Sequence, residues 1–321
     1  MERTPMKHLL GLEGMSKADL LGLLSDAESF VEVGDRDIKK VPALRGKTII
    51  CLFMEPSTRT RVSFEMAGKW LSADTINVSS SGSSTSKGET LLDTAWNLEA
   101  MRPDIIVMRH KESGSPHFLA RELKNVSIVN GGDGTHEHPT QALLDCLTLQ
   151  RHFAKQNRKL EGLKISIVGD VFHSRVARSN LWAHKILGNK VTVVAPPTLV
   201  PRDMQKVYGD FVTVTSNLKE GLEGADVVMC LRMQLERQGA FFVPTLDDYT
   251  TRFCVSEKIL KQVAPDSVVL HPGPMNRGVE ITTEVADGHR SLIGNQVQLG
   301  VAVRMAVLFN VGRGKLDEKS N

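Results

Sequence analysis

The sequence contains only four cysteines, Cys51, Cys146, Cys230 and Cys254, with no CxxC pair and no cysteine–histidine ligand spacing among them. That spacing argues against both a disulfide framework and a thiolate zinc site. Three of the four stand in apolar, strand-like or helix-like surroundings, which predicts buried thiols in a reducing cytosol. No Lys/Arg-rich run or basic–aromatic patch occurs, and a formal charge of +3 is close to balance, so nucleic acid is not expected as a partner. Long apolar runs are also missing. Stretches such as Val191-Thr192-Val193-Val194-Ala195 are too short to cross a bilayer, and no apolar core follows Thr4–Lys7 as a secretory signal requires. The expectation is a cytoplasmic protein with no membrane partner. The turn Gly169-Asp170-Val171-Phe172-His173-Ser174-Arg175 follows a strand but lacks GxGxxG. Val171 and Phe172 occupy positions where backbone would have to approach a pyrophosphate, which argues against a dinucleotide cofactor.

What is present centres on Glu55-Pro56-Ser57-Thr58-Arg59-Thr60-Arg61. It follows a strand-like run, Thr48–Phe53, and precedes a predicted helix through about Leu71, with Val62, Phe64, Ala67 and Leu71 at helical spacing. The first turn of a helix leaves backbone N–H groups without partners. Those donors, the positive end of the helix dipole, three hydroxyls and two guanidinium groups converge within one turn. A tetrahedral dianion is the ligand that would satisfy them; a capped helix with solvated arginines is the plainer alternative.

With 321 residues, 41% of them hydrophobic, the chain is long enough for two domains and two cores. Ser16–Asp19 has a capping-box pattern opening a helix to about Val31. After the strand Thr75–Val78, the segment Ser79–Glu89 is too polar and too small to fold against a core. Its lone cation, Lys87, suits a lid that carries charge to a closed site, although a solvated linker fits the composition equally well. Asp104–Met108 and Val126–Val129 are the next strands. They lead to Arg109-His110 and to Asn130–Gln141, whose glycines permit close backbone approach and whose Pro139 suits a first helical turn. His136 and His138, two apart in a loop with no third ligand signal, make only a weak metal signal, and a neutral histidine donating to a substrate carbonyl is more economical. Beyond a charged connector at Arg151–Gly162, further strands are read at Leu163–Val168, Lys190–Val194, Phe211–Val214, Asp226–Leu231 and Ser267–His271. The last helix is read at about Leu299–Asn310. Arg175 and Arg232-Met233-Gln234 fall after strand ends, as does Pro272-Gly273-Pro274. In parallel α/β sheets that edge binds ligands, and two arginines there suggest a dicarboxylate clamp.

With these residues in place, the chain resembles the catalytic chains of the aspartate carbamoyltransferase family nearly end to end. The resemblance rests on Ser57-Thr58-Arg59-Thr60-Arg61, Ser83 to Lys87-Gly88-Glu89-Thr90, Val107-Met108-Arg109-His110, Gly132-Asp133-Gly134 and His138-Pro139-Thr140-Gln141. It continues in Gly169-Asp170 with Arg175, in Arg232-Met233-Gln234 and in His271-Pro272-Gly273-Pro274. The first motif is shared by all carbamoyltransferases. The ornithine enzymes resemble one another in a His-Cys-Leu-Pro and a Ser-Met-Gly element, and this chain has neither.

The resemblance implies an α/β chain of two doubly wound domains, each a parallel sheet flanked by helices. Residues 1–150 would bind carbamoyl phosphate, 151–295 would bind aspartate, and the helix in 296–321 would return to the first domain. It implies a homotrimer with shared active sites, alone or within a larger assembly with dihydroorotase-like or regulatory chains. No cofactor and no metal are implied. Carried over, Ser57, Thr58, Arg59 and Thr60 would hold the phosphate of carbamoyl phosphate. Thr60, Arg109 and His138 would polarise its carbonyl, and Gln141 with the Gly273-Pro274 backbone would take its amino group. Ser83 and Lys87 would close over both ligands; Arg175, Arg232 and Gln234 would hold the carboxylates of L-aspartate. The implied activity yields N-carbamoyl-L-aspartate and phosphate in pyrimidine biosynthesis. Two departures stand out: some members carry two adjacent lid lysines where this chain has Ser86 and Lys87, and Met54 replaces an aromatic residue. The rival readings are a carbamoyltransferase for another amine and a catalytically silent scaffold for a dihydroorotase or regulatory partner.

Overall fold

In the computed structural model, which describes residues 6–79, 89–234 and 242–317, the chain forms two compact units. One comprises Met1–Leu147 with Leu299–Asn321, the other Thr148–Gln298. In the first, β1 (Thr48–Phe53), β2 (Asp74–Ser79), β3 (Ile105–His110) and β4 (Ser127–Asp133) pair in the order β2-β1-β3-β4, all parallel. β1 and β3 are almost wholly buried runs, the pattern expected of strands covered on both faces. Each large side chain withdrawn from water there contributes roughly 1.5–3 kcal/mol. Edge strand β2 is half exposed.

The helices of this unit are α1 (Lys17–Val31), α2 (Thr58–Trp70), α3 (Leu91–Ala100), α4 (Ser115–Glu122) and α5 (Pro139–Ala154), the last continuing into the second unit. Ser16 caps α1 as its pattern predicts: its hydroxyl accepts from the Asp19 N–H at 3.0 Å and donates to the Asp19 carboxylate at 2.7 Å. α5 runs through Ala154, so the start of the expected connector is helical.

The second unit has β5 (Lys164–Val168), α6 (Arg175–Ile186), β6 (Lys190–Val194), α7 (Met204–Tyr208), β7 (Val212–Thr215), α8 (Leu218–Leu222) and β8 (Val227–Cys230). It continues with α9 (Leu246–Phe253), α10 (Glu257–Val263), β9 (Val268–Leu270) and α11 (Thr283–Asp287). Its sheet runs β7-β6-β5-β8-β9, again entirely parallel. The expected class, two doubly wound parallel sheets flanked by helices, is therefore observed.

The returning C-terminal helix is present and longer than its sequence pattern suggested: α12 spans Ile293–Asp317. Asn310 Nδ2 donates to Asp26 at 2.8 Å, and Phe309 meets Phe30 edge-on at 5.8 Å, which ties α12 to α1. Arg304 is fully buried. It donates to the Ser63 hydroxyl at 3.0 Å and covers the Phe64 ring at 5.2 Å, joining α12 to α2. Burial lowers this guanidinium to about 10, against the raising influence of Asp145, and it stays charged at neutral pH. Among the described residues, no helix is long and apolar enough to cross a membrane.

In doubly wound sheets a ligand crevice opens at the carboxyl ends of the strands where the order reverses. That point lies between β1 and β3 in the first sheet and between β5 and β8 in the second.

Candidate active site

At the first switch point the connection leaving β1 turns directly into α2. Ser57 occupies the N-cap position with extended backbone, and its hydroxyl makes no capping bond, so the first-turn N–H groups are not covered by that side chain. Thr58 and Arg59 are exposed, whereas Thr60 is buried on the first turn. Arg109 is the penultimate residue of the adjacent strand β3, in register with Phe53, and its carbonyl accepts from the Met54 N–H at 2.8 Å. Its side chain is 8% exposed. Nη1 donates to the Gly131 carbonyl at 3.2 Å and Nη2 lies 3.5 Å from Glu55 Oε1. The two ends of the guanidinium are thus tied to strand β4 and to the connection after β1, and its direction is fixed.

The connection after β4 is built around Asp133, whose carboxylate accepts from Asn130 Nδ2 (2.8 Å), the Gly114 N–H (2.6 Å) and the Glu137 N–H (3.1 Å). Glu137, also buried, reaches back to accept from the Leu12 N–H at 2.9 Å. Held from both sides, this turn delivers buried His138 and Gln141 to the start of α5. Gln141 Nε2 donates to Asp145 Oδ1 at 2.9 Å. That bond orients the amide so that its carbonyl oxygen is the group left to accept from a ligand N–H. Next to Arg109, the His110 imidazole is pulled below the ordinary histidine range by burial, and its Nδ1 accepts from the Glu112 N–H at 3.0 Å. Cys51 is pushed up to about 12 by burial, reinforced by Glu65, so its thiol is inert. Burial raises Cys146 and Cys230 as well.

The second sheet repeats the arrangement with different side chains. Gly169 directly follows β5 at φ +122°, where a Cβ would stand 2.6 Å from the Leu231 carbonyl, so only glycine fits. Asp170 is fully buried and accepts from His173 Nδ1 at 2.8 Å and from the Gln234 N–H at 3.3 Å. Gln234 Nε2 in turn donates to the His173 carbonyl at 3.3 Å. The turns after neighbouring strands β5 and β8, which carry Arg175 and Arg232, are therefore latched to each other. Ser174 caps α6, and Arg175 is its first residue, 4% exposed. After β9, His271 pairs with buried Glu280 at 3.2 Å and its Nδ1 accepts from the Gly273 N–H at 2.9 Å, supporting the Gly273-Pro274 turn.

The expected residues thus fall in two groups at the carboxyl edges of two sheets. Ser57, Thr58, Arg59, Thr60, Arg109, His138 and Gln141 belong to the first; Arg175, Arg232, Gln234, Gly273 and Pro274 belong to the second. Ser83 and Lys87, with the proposed lid, lie outside the described residues. Sequence reasoning gave no positioning role to the groups that hold these side chains in place: Glu55, Asp145, Asp170 and Glu280. A carboxylate bordering a motif arginine was the available signal for Glu55. Asp170 stood in the Gly169-Asp170 motif, but no signal marked Asp145 or Glu280, and the partners of all three come together only through the fold.

Comparison with known proteins follows the same division. Residues 7–151 match the family described as aspartate/ornithine carbamoyltransferase, carbamoyl-P binding domain. Residues 161–311 match its Asp/Orn binding domain. The chain is 52% identical to the aspartate carbamoyltransferase catalytic subunit of Magnetococcus marinus, covering 96% of this chain and 93% of that one. It is 53% identical to the subunit of the same name from Pelobacter propionicus, over 97% and 98%. Among solved structures, aspartate transcarbamoylase from Trypanosoma cruzi in complex with N-(phosphonacetyl)-L-aspartic acid superposes with a TM-score of 0.84 at 29% identity, covering 95% of each chain. Ornithine carbamoyltransferase from Thermus thermophilus gives 0.82 at 30% identity, over 96% and 99%.

Proposed function

The chain belongs to the aspartate/ornithine carbamoyltransferase family, and on that premise we propose that it transfers the carbamoyl group of carbamoyl phosphate to the amine of L-aspartate. The products are N-carbamoyl-L-aspartate and phosphate, in pyrimidine synthesis. The observation that carries this reading is that Ser57–Thr60, at the start of α2, and the anchored guanidinium of Arg109 stand at the carboxyl ends of adjacent strands, at one switch point. Relatives more than half identical, named for aspartate, choose the acceptor over ornithine.

In the proposed mechanism the aspartate amine attacks the carbamoyl carbon. A C–N bond forms, the C–O bond to phosphate breaks, and the amine proton leaves with the phosphate. Thr60, Arg109 and His138 donate to the carbonyl oxygen as charge builds on it. Ser57, Thr58, Arg59 and the α2 amides stabilise the departing dianion. Gln141, turned by Asp145, accepts from the carbamoyl amino group together with the Gly273-Pro274 backbone. Arg175 and Arg232 pair with the two aspartate carboxylates, assisted by Gln234. Guanidinium groups in that position would repel the cationic side chain of ornithine. Holding both reactants in place removes much of the entropic barrier. We further propose a cytoplasmic homotrimer, alone or within an assembly with dihydroorotase-like or regulatory chains. Its sites would be completed by Ser83 and Lys87 of a neighbouring subunit.

One experiment tests both layers. Arg59→Ala is expected to lower turnover by about 10²–10³, the cost of removing one donor aimed at developing charge, with the oligomer intact. Mixing Arg59→Ala chains with Lys87→Ala chains then restores about one native site in each mixed trimer, so activity returns. Unchanged turnover in Arg59→Ala contradicts the anion site. No recovery after demonstrated subunit exchange contradicts the shared site.

A further inference from the structure

We propose that His117, Asp133 and His136 form a binding site for a divalent transition-metal ion of the zinc type, with a position open to water. They are not among the residues assigned above to carbamoyl transfer. The sequence alone shows only His136 and His138 two apart. The fold separates that pair in role, sending His138 into the buried start of α5 and bringing His136 beside residues from two other positions. One ligand atom from each of His117, Asp133 and His136 lies within 4.8 Å of the other two.

The geometry is close to what such an ion requires. Ligands about 2.0–2.2 Å from a tetrahedral zinc stand roughly 3.4 Å apart. His136 Nδ1 and Asp133 Oδ2 are already at 3.1 Å. The His117 ring, on the first turn of α4, has its centroid 5.3 Å from that of His136 and meets it edge-on. His117 is exposed and can turn about its own χ angles, so closing the set needs no backbone movement.

The backbone around it is fixed in advance. The Gly114 N–H donates to Asp133 Oδ2, the Thr135 N–H to the Ser113 hydroxyl at 3.1 Å, and the Gly134 N–H to the His110 carbonyl at 3.0 Å. Gly134 itself sits at φ +45°, where a Cβ would be 2.3 Å from the Ser113 hydroxyl. The carboxylate is positioned as ligands in metal sites are, by further hydrogen bonds from Asn130 and the Glu137 N–H. His136 Nδ1 and Asp133 Oδ2 now share a hydrogen bond, and the ion would take the place of that proton. Two imidazoles and one carboxylate suit zinc, nickel, cobalt or copper better than calcium or magnesium. Bound there, the ion would clip α4 to the turn that ends in His138.

The test uses the full chain, free of any affinity tag and stripped with chelator, titrated with Zn²⁺ by calorimetry and with Co²⁺ followed by visible absorption. The expected result is one saturable ion per chain with the absorption of a tetrahedral cobalt site. His117→Ala and His136→Ala should each weaken binding by at least about tenfold, while His152→Ala, at a remote surface position, should not. Circular dichroism establishes that the variants remain folded. The absence of saturable binding, or binding that survives both substitutions, would overturn the proposal. So would a loss confined to His136→Ala, since His136 and Asp133 would then serve only to stiffen the turn. The binding readout does not depend on the transferase reading.

Discussion

Glu55 lies 3.5 Å from Arg109 at the anion edge, and two opposing effects meet there. A carboxylate beside a phosphate site repels the ligand, yet it also fixes a guanidinium otherwise tied, among the contacts described above, to the Gly131 carbonyl. A fixed donor matters most in the transition state, so positioning should win. Glu55→Gln is expected to lower kcat about tenfold with little change in KM for carbamoyl phosphate, the signature of a loss felt only in the transition state. Tighter carbamoyl phosphate binding at unchanged kcat would instead mean that Glu55 merely offsets charge. At this scale the residues proposed to meet a ligand were legible, because Ser57–Thr60, Arg109 and Arg175 combine chemistry with a place at or after the end of a strand. Their supports were not. Asp170 meets Gln234, and Asn310 meets Asp26, across sequence separations that no local pattern encodes.

Among the elements, the buried parallel strands were easiest to read, since Thr48–Phe53 and Val227–Cys230 are nearly unbroken apolar runs. Short helices such as α7, α8 and α11 offer too few turns for a period to emerge. α12 was read short because glycines interrupt its pattern. At two of them the reason is packing: a Cβ at Gly300 would be 2.7 Å from Arg304 Nη1, and one at Gly312 would be 2.7 Å from Leu44. α6 yields a prediction of its own. His184, in its last turn, is fully buried, and its Nδ1 accepts from Asn189 Nδ2 at 3.0 Å because Asn189 Oδ1 is already taken by the Leu163 N–H. A helix C-terminus favours an imidazolium by only about 0.3–1 kcal/mol. Burial lowers the group from 6.5 to about 4, a difference worth roughly 3 kcal/mol. A lowered histidine leaves stability intact above pH 6.5. As pH falls from there towards about 4, the unfolded chain takes up a proton that the folded chain refuses, so stability declines. Urea denaturation across that window should show this slope, and His184→Asn, which can still accept from Asn189, should flatten it. An unchanged slope would assign the loss to other groups.

For the molecule as a whole, two doubly wound units place two different sets of polar side chains at the carboxyl edges of their sheets. The first offers amides, hydroxyls and guanidinium groups suited to a phosphate; the second offers two arginines suited to a dicarboxylate. This division was legible because each motif follows a strand, and the family match divides the chain in the same way. The His117–Asp133–His136 cluster was not legible, since α4 and the turn after β4 meet only in three dimensions. The account's central claim is transfer of a carbamoyl group to aspartate, and the most direct measurement supplies the purified chain with carbamoyl phosphate and either L-aspartate or L-ornithine. The account predicts N-carbamoyl-L-aspartate and phosphate in equal amounts, with no product from ornithine. Carbamoylation of ornithine in place of aspartate, or silence with both from a folded oligomer, would contradict it.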